Sequence, residues 1–379
     1  MTCRVPQAES RLRVNAAFTL SLAPSCPRAI ACRMMHIGSL QILRALAALA
    51  VAYGHAAHDA ELLAARQGMM LAFPLKDLSG LGVDLFFAIS GFVMVLSAAP
   101  LFGTAGASRR FFLRRLLRIV PIYWLVTFIF LAVVFFKPRV LSSTGIGLWD
   151  IVRSLLFIPY QRADSDLIQP VYGLGWTLNY EMFFYLLFAL AVMLPIRQAI
   201  AAVIGALLAF VAAGWLMQPV AAHWRFWTDP ILLEFAFGVV AGALYLSPFK
   251  PGRGAGLALL VLGVVLFVAL NITGEKPGGW ARLWMAGLPL AMAMAGTVFA
   301  FPQGSTGLSL LETLGDASYA LYLFHPIVIR TQSLAGGAAN VPAGWGYVLV
   351  ALVASAVLAV AIYRMFERPV TRFLQQRIG

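Results

Sequence analysis

Charged side chains are scarce: they make up 11% of the 379 residues, against about 25% in a soluble domain. A chain with so few cannot clothe a globular surface, so a water-soluble class is excluded. Cysteine is almost missing as well. The three present, Cys3, Cys26 and Cys32, all precede the first long apolar run. The body therefore has neither a disulfide frame nor a thiolate metal site, and no metal is expected. Period-two alternation is absent from the apolar runs. Runs of about 20 residues without alternation favour membrane helices over a barrel. Acidic residues are the rarer sign, 15 against 28 basic, for a formal net charge of +13. Loops that hold a membrane protein's orientation explain that excess, so no nucleic-acid partner is expected.

The first 33 residues are poorly periodic and contain Pro6, Pro24 and Pro27. They lack the basic end, apolar core and cleavage site of a signal peptide. A targeting segment, a cytoplasmic tail and an over-extended gene start, with the initiator at Met34 or Met35, compete for them. The expected organisation is an N-terminal extension over 1–38, a membrane domain over 39–370 and a short basic tail over 371–379, with no appended soluble domain.

The fold expected is an all-α integral membrane protein of about ten spans. They fall near 40–58, 78–98, 119–137, 174–194, 199–217, 230–247, 255–272, 283–301, 314–334 and 345–365. The stretch 151–160 is too short to span and suits the interface. Lys and Arg set the orientation. With both termini cytoplasmic, the inside holds Arg109, Arg110, Arg114, Arg115, Arg118, Arg197, Lys250, Arg253, Arg364, Arg368, Arg372 and Arg377. The outside holds fewer: Arg66, Lys76, Lys137, Arg139, Arg153, Arg162 and Arg225.

Leu40–Asp59 reads LQILRALAALAVAYGHAAHD. Its Arg44 and His55 return to nearly the same helix face about 16 Å apart. An ionisable group inside a span is costly and points to function. The span edges also place His55, Asp84, Glu181, Glu234 and His325 in one layer near the outer side, the expected buried polar site. Each has a structural counter-reading: a packed histidine, a helix–helix hydrogen bond, a tie from Asp84 to Arg44, or a carbonyl freed by Pro326 and satisfied by His325. Trp176, Tyr180 and Tyr185 suit sugar stacking, although an interfacial aromatic belt is commoner. His36, His58 and His223 read as solvent-facing, and Gly82 and Gly91 as close-packing positions.

At the other surface SRRFFLRRLLRIVPIYW carries five arginines, Arg109, Arg110, Arg114, Arg115 and Arg118. Guanidinium groups hold phosphates bidentately, but a membrane anchor needs the same residues. Arg109 and Arg110 fit the anchor. Arg115 and Arg118, paired at helical spacing at the membrane edge, lean toward function.

These motifs resemble the acyltransferase 3 family, the membrane-bound O-acyltransferases of bacterial surface sugars. The resemblance spans Leu40 to Arg372 and rests on Arg44/His55, GVDLFFAISGF at 82–92, RRLLRIVPIYW at 114–124, GWTLNYEMFFY at 175–185, LGDASYALYLFHP at 314–326 and FERP at 366–369. The fourth motif and DPILLEFAFG at 229–238 resemble the branch that acetylates succinoglycan-type exopolysaccharides. The N-terminal extension departs from the pattern, as does the lack of an esterase-like periplasmic domain that some members carry. The resemblance implies an inner-membrane enzyme without a tightly bound cofactor. Its co-substrate would be acyl-CoA, most simply acetyl-CoA, and its acceptor a lipid-linked or polymeric saccharide. Membrane lipids and polysaccharide-assembly proteins are the other partners implied. Arg44, Arg115 and Arg118 would hold the phosphates and adenosine end of CoA, with the pantetheine arm reaching toward His55.

His55 would then act as general base on the acceptor hydroxyl or as a transient acyl carrier, since imidazole titrates near working pH. Its orienting partner is Asp59, Asp84 or Glu181, with Glu181 preferred because Asp59 falls in the headgroup region. Oxyanion stabilisation is open among Ser90, Tyr123, Tyr322 and a second imidazole. The reading from another class is a proton-coupled transporter or flippase using the same histidines and carboxylates, for which no internal repeat is apparent. An inactive scaffold is a third, disfavoured by the Arg44/His55 pair.

Overall fold

The computed structural model describes residues 37–76, 79–136, 146–163, 166–271, 278–302, 306–338 and 342–377. Residues 1–36, with the cysteines and His36, lie outside the described set, as do Lys137 and Arg139. Among the described residues there is no strand, only an isolated bridge between Gln161 and Ile168.

The helices are α1 (Gly38–Arg66), α2 (Ser79–Ala98), α3 (Ala107–Phe136), α4 (Leu148–Leu155), α5 (Trp176–Ala191), α6 (Ile196–Met217), α7 (Ala222–Trp227) and α8 (Leu232–Leu246). After them come α9 (Arg253–Asn271), α10 (Gly279–Ala300), α11 (Ser309–Asp316), α12 (Ser318–Ala338) and α13 (Trp345–Gln376). Among the described residues eight helical stretches are long and apolar enough to cross a membrane, α7 and α8 together forming one. The chain is a multi-pass membrane protein. Two of the ten expected spans fall outside this set. α5 has 16 residues, a rise of about 24 Å against a core of about 30 Å. The stretch expected over 314–334 is broken at Ala317 into α11 and α12. Leu148–Leu155 is a single short helix, too short to span as expected.

Glycines set the closest crossings. A Cβ on Gly91 of α2 would lie 2.1 Å from the carbonyl oxygen of Phe235, and one on Gly238 of α8 2.0 Å from that of Ala88. α2 and α8 therefore touch backbone to backbone, the small-residue packing of membrane helices. Gly82 serves likewise against Ala47 of α1. These contacts fix the rotation of α1, α2 and α8, and so where their polar residues point.

Two helices carry a π-helical turn, Leu283–Gly287 in α10 and Tyr363–Glu367 in α13. Such turns shift the face a helix presents and recur at functional sites. The first directly follows Arg282; the second ends on Glu367. The last helix continues to Gln376, and Thr371, Arg372 and Gln375 line a cavity with Ile37. Ile37 and Gln375 line one cavity, so the described chain starts and ends at the same face.

Candidate active site

At that shared face a vestibule opens between α1, α3 and α13. Its walls carry Arg44 from α1, Arg114, Arg115 and Arg118 from α3, and Arg368 and Arg372 from α13, together with Asp316 and Glu367. Arg115 donates to the Ser97 hydroxyl, and its guanidinium lies 5.7 Å from the Phe111 ring centroid. Arg109 and Arg110 are not part of it. Arg109 is exposed, and Arg110 closes a turn by donating to Thr104 Oγ1 at 3.0 Å and the Ala105 carbonyl at 2.7 Å.

The vestibule narrows into a tighter inner channel. Arg44, Arg115, Arg118 and Val93 line both, so the two are continuous through an arginine throat. Beyond the throat Ser90, Glu181 and Tyr185 form a hydrogen-bonded group. Glu181 Oε1 accepts from the Ser90 hydroxyl at 3.1 Å and the Tyr185 hydroxyl at 2.5 Å. The far end is bounded by Phe86 and Tyr322, with ring centroids 6.1 Å apart. Tyr322 donates to the Leu174 carbonyl at 3.0 Å and lies 3.0 Å from the Thr177 hydroxyl.

Ser318, Tyr319 and Tyr322 give α12's contribution to the channel. The next residue along that stripe is His325, wholly buried, with its ring 6.3 Å from that of Tyr322. Its Nδ1 lies 3.0 Å from the Leu321 carbonyl and its Nε2 2.8 Å from Nδ1 of His55, the rings being stacked. A carbonyl only accepts, so a neutral His325 carries its proton on Nδ1 and offers Nε2 as acceptor. His55 must then donate from Nδ1, which leaves its Nε2 with a free lone pair. Burial of one imidazole against a backbone carbonyl thus selects the basic tautomer of the other. His55 is only half-buried, so that lone pair can meet a substrate.

Several expected placements change. The partner of His55 is His325, not Glu181, Asp84 or Asp59. Glu181 lies among the charges acting on Arg44 and Arg115, toward the throat. Asp59 accepts from the Tyr347 hydroxyl at 2.6 Å. Asp84 is held by Arg282, whose Nε donates at 2.8 Å and whose second nitrogen donates at 3.1 Å. The structural alternative for Asp84, a tie from its helix to a neighbour, is met by Arg282 in place of Arg44. Glu234 is wholly buried beside Gly287, against the Asp84 carboxyl and in the field of Arg282, with no N–H or hydroxyl donor among the described residues on its carboxyl oxygens. The single layer of five groups is therefore three separate places. Depth along a helix had aligned these residues; rotation of each helix separates them.

Among the aromatics, Tyr123 donates to the Ser154 carbonyl at 3.3 Å and does not line the channel. Trp176 packs edge-on against Phe87 and Tyr180 beneath the Arg282 guanidinium, and Tyr180 stacks on Phe226. Tyr185 is committed to Glu181. Of the histidines read as solvent-facing, His58 is exposed and His223 half-buried against Trp224 and Trp227.

Sequence reasoning missed Arg282 as a partner and counted Arg368 and Arg372 only toward topology. An unpaired Asp84 in an apolar span was the signal for the first. The i, i+4 spacing from the arginine of FERP was the signal for the second.

A family model described as an acyltransferase domain, of the acyltransferase 3 type, matches residues 37–364. The exopolysaccharide production protein ExoZ of Rhizobium meliloti (strain 1021) is 33% identical over 301 residues, 77% of this chain and 89% of that protein. No solved structure matches the chain.

Proposed function

The chain belongs to the acyltransferase 3 family, and from that premise we propose that it moves an acetyl or similar short acyl group from cytoplasmic acyl-CoA to a hydroxyl of an exopolysaccharide sugar. The observation that carries this is the continuity of the arginine vestibule with a channel lined by Tyr322, whose ring lies 6.3 Å from that of His325. CoA has a charged head and a long neutral arm ending in the thioester, and the cavity has the same two parts. In this reading the arginine-rich vestibule faces the cytoplasm, which the positive-inside bias supports, and the protein sits in the bacterial inner membrane.

In this reading Arg44, Arg115 and Arg118 hold the diphosphate at the throat while pantetheine occupies the inner channel. The thioester reaches the Phe86–Tyr322 end, which must part for it to meet His55. Nε2 of His55 takes the proton of the acceptor hydroxyl as that oxygen attacks the thioester carbon. Collapse of the tetrahedral adduct breaks the C–S bond, and the imidazolium returns the proton to the departing thiolate. His325 is a positioning residue for this step, fixing the tautomer and stabilising the imidazolium. The Tyr322 hydroxyl would have to turn from the Leu174 carbonyl to donate to the developing oxyanion. The same Nε2 can instead carry the acyl group, with attack by the acceptor following.

The test uses the full chain in nanodiscs with radiolabelled acetyl-CoA and a lipid-linked saccharide. Label is expected on the saccharide. Arg115→Gln and Arg118→Gln should each raise the donor KM at least about tenfold, the scale of one lost charge-assisted hydrogen bond, with kcat little changed. An unchanged donor KM would remove the throat from the donor site. Intact acetyl-CoA beside folded protein and acceptor would count against the whole reading.

A further inference from the structure

The vestibule holds more cations than the throat uses. Arg44, Arg115 and Arg118 border both cavities, whereas Arg114, Arg368 and Arg372 border only the outer one. Arg368 and Arg372 are four residues apart on α13 and share a helix face. They follow the π-helical turn Tyr363–Glu367, and both are exposed while lining the cavity. The Gln375 side chain donates to the Arg114 carbonyl at 3.4 Å, which ties the end of α13 to α3 across the vestibule. Against these six arginines stand two carboxylates, Asp316 and Glu367, leaving an excess of four positive charges. Glu367 is buried and has one oxygen without a hydrogen-bond partner, and it acts on Arg44 and Arg118. It stands at the border between the outer and the throat arginines.

We infer that Arg368 and Arg372, with Arg114 opposite, form a second phosphate subsite that takes the 3′-phosphate of the CoA donor, apart from the throat trio that takes the diphosphate. The inference rests on the acyl-CoA reading above. CoA carries its phosphates in two groups, a diphosphate between pantetheine and adenosine and a monoester on the ribose. Together they bear about four negative charges near neutral pH, the excess that the vestibule offers. The inner channel, walled by Val83, Phe86, Met94 and Leu178, suits the neutral arm and would strand a phosphate in an apolar lining. The diphosphate therefore stops at the throat. Adenosine and its 3′-phosphate remain outside it, against the wall that α13 supplies. Planar guanidinium groups at i, i+4 offer a phosphate monoester two bidentate partners. The consequence is donor selection: a thioester on a carrier lacking the 3′-phosphate forfeits this wall.

The experiment measures kcat/KM for acetyl-CoA and acetyl-3′-dephospho-CoA with the full chain in nanodiscs. It compares wild type, Arg368→Gln/Arg372→Gln and Arg364→Gln, an exposed arginine outside the cavity. The ratio between donors cancels the fraction of active protein, so partial misfolding does not obscure it. Wild type should prefer acetyl-CoA by about 10- to 100-fold, the scale of hydrogen bonds to a charged group. The double variant should lose that preference through a higher KM for acetyl-CoA alone, and Arg364→Gln should keep it. Equal use of both donors by wild type would overturn the subsite while leaving the acyl-CoA reading intact. So would a double variant that weakens on both donors with the ratio preserved, which would assign these arginines to anionic lipid headgroups. Transfer from neither donor by folded wild type would overturn the donor reading itself, and the subsite with it.

Discussion

Two of the polar clusters among the described residues are built on opposite plans. Between α1 and α12, His55 and His325 are neutral groups in a directed chain that ends on a backbone carbonyl. Every donor in it has an acceptor, and one lone pair is left over at a half-buried position. Between α2, α8 and α10, Arg282 is shared by two carboxyl groups, Asp84 directly and Glu234 through the field. There the pairing itself is the content, and no group is left pointing at the channel. In an apolar interior a hydrogen-bond chain with a surplus lone pair is suited to reaction, while a charge pair is suited to holding helices together. Polar residues in a membrane span are therefore not equivalent markers of a site. What each one leaves unsatisfied distinguishes them.

The sharpest way to break this comparison is to remove the lone pair. His55→Ala should lower the transfer rate about 10³-fold, within the usual contribution of a positioned base, with the protein's thermal stability in detergent nearly unchanged. Arg282→Gln should do the reverse. It leaves Asp84, which is 0% exposed, beside Glu234 with no cation between them. Loss of one partner from a buried pair costs about 3–5 kcal/mol, read as a lower melting temperature. Activity measured per folded molecule should stay close to wild type. A His55→Ala protein that melts early and an Arg282→Gln protein that is stable but dead would exchange the roles assigned to the two clusters.

The contrast also shows what could be read from the chain and what could not. Apolar runs of about 20 residues mark helices because a membrane demands that length, and α1, α2, α9 and α10 fall where expected. Arg44 and His55 were legible because one helix fixes their phase. Partners on different helices were not. Glu181 and His325 share a depth, but which of them faces His55 depends on helix rotations set by backbone contacts such as Gly91 against Phe235 and Gly315 against Gln41. No spacing within a single helix encodes those rotations. The break at Ala317 and the π-helical turn before Arg368 were equally hidden, since both change the face presented without changing composition.

A smaller effect sharpens the reactive side. His325→Ala removes the acceptor that holds Nδ1–H of His55, freeing the ring to rotate and to take the other tautomer. A displacement of that order costs about 100-fold in rate, seen in kcat and not in the donor KM, because the throat arginines are untouched. His325→Gln retains a side-chain carbonyl that can accept from Nδ1 and should recover part of the loss. Equal damage by Ala and Gln, or a raised donor KM, would assign His325 to packing or donor binding.

The smallest effect tests whether Glu234 belongs to the holding cluster. Among the described residues its carboxyl oxygens receive no N–H or hydroxyl donor and its polar neighbour by contact is the Asp84 carboxyl. Glu234→Gln therefore supplies an N–H that can serve Asp84 and keeps the volume packed on Gly287. Alone it should change stability by about 1 kcal/mol or less and leave transfer unaltered. In the Arg282→Gln background the same change should matter more. There it removes one of two buried carboxyl groups that face each other without a guanidinium, and part of the lost melting temperature should return. That recovery is a coupling measured between groups with no hydrogen bond between them, so it reports the field and not a contact. Additive effects of the two substitutions would separate Glu234 from the Asp84–Arg282 pair. The pair would then hold α2 to α10 on its own, and Glu234 would need an explanation from the channel side.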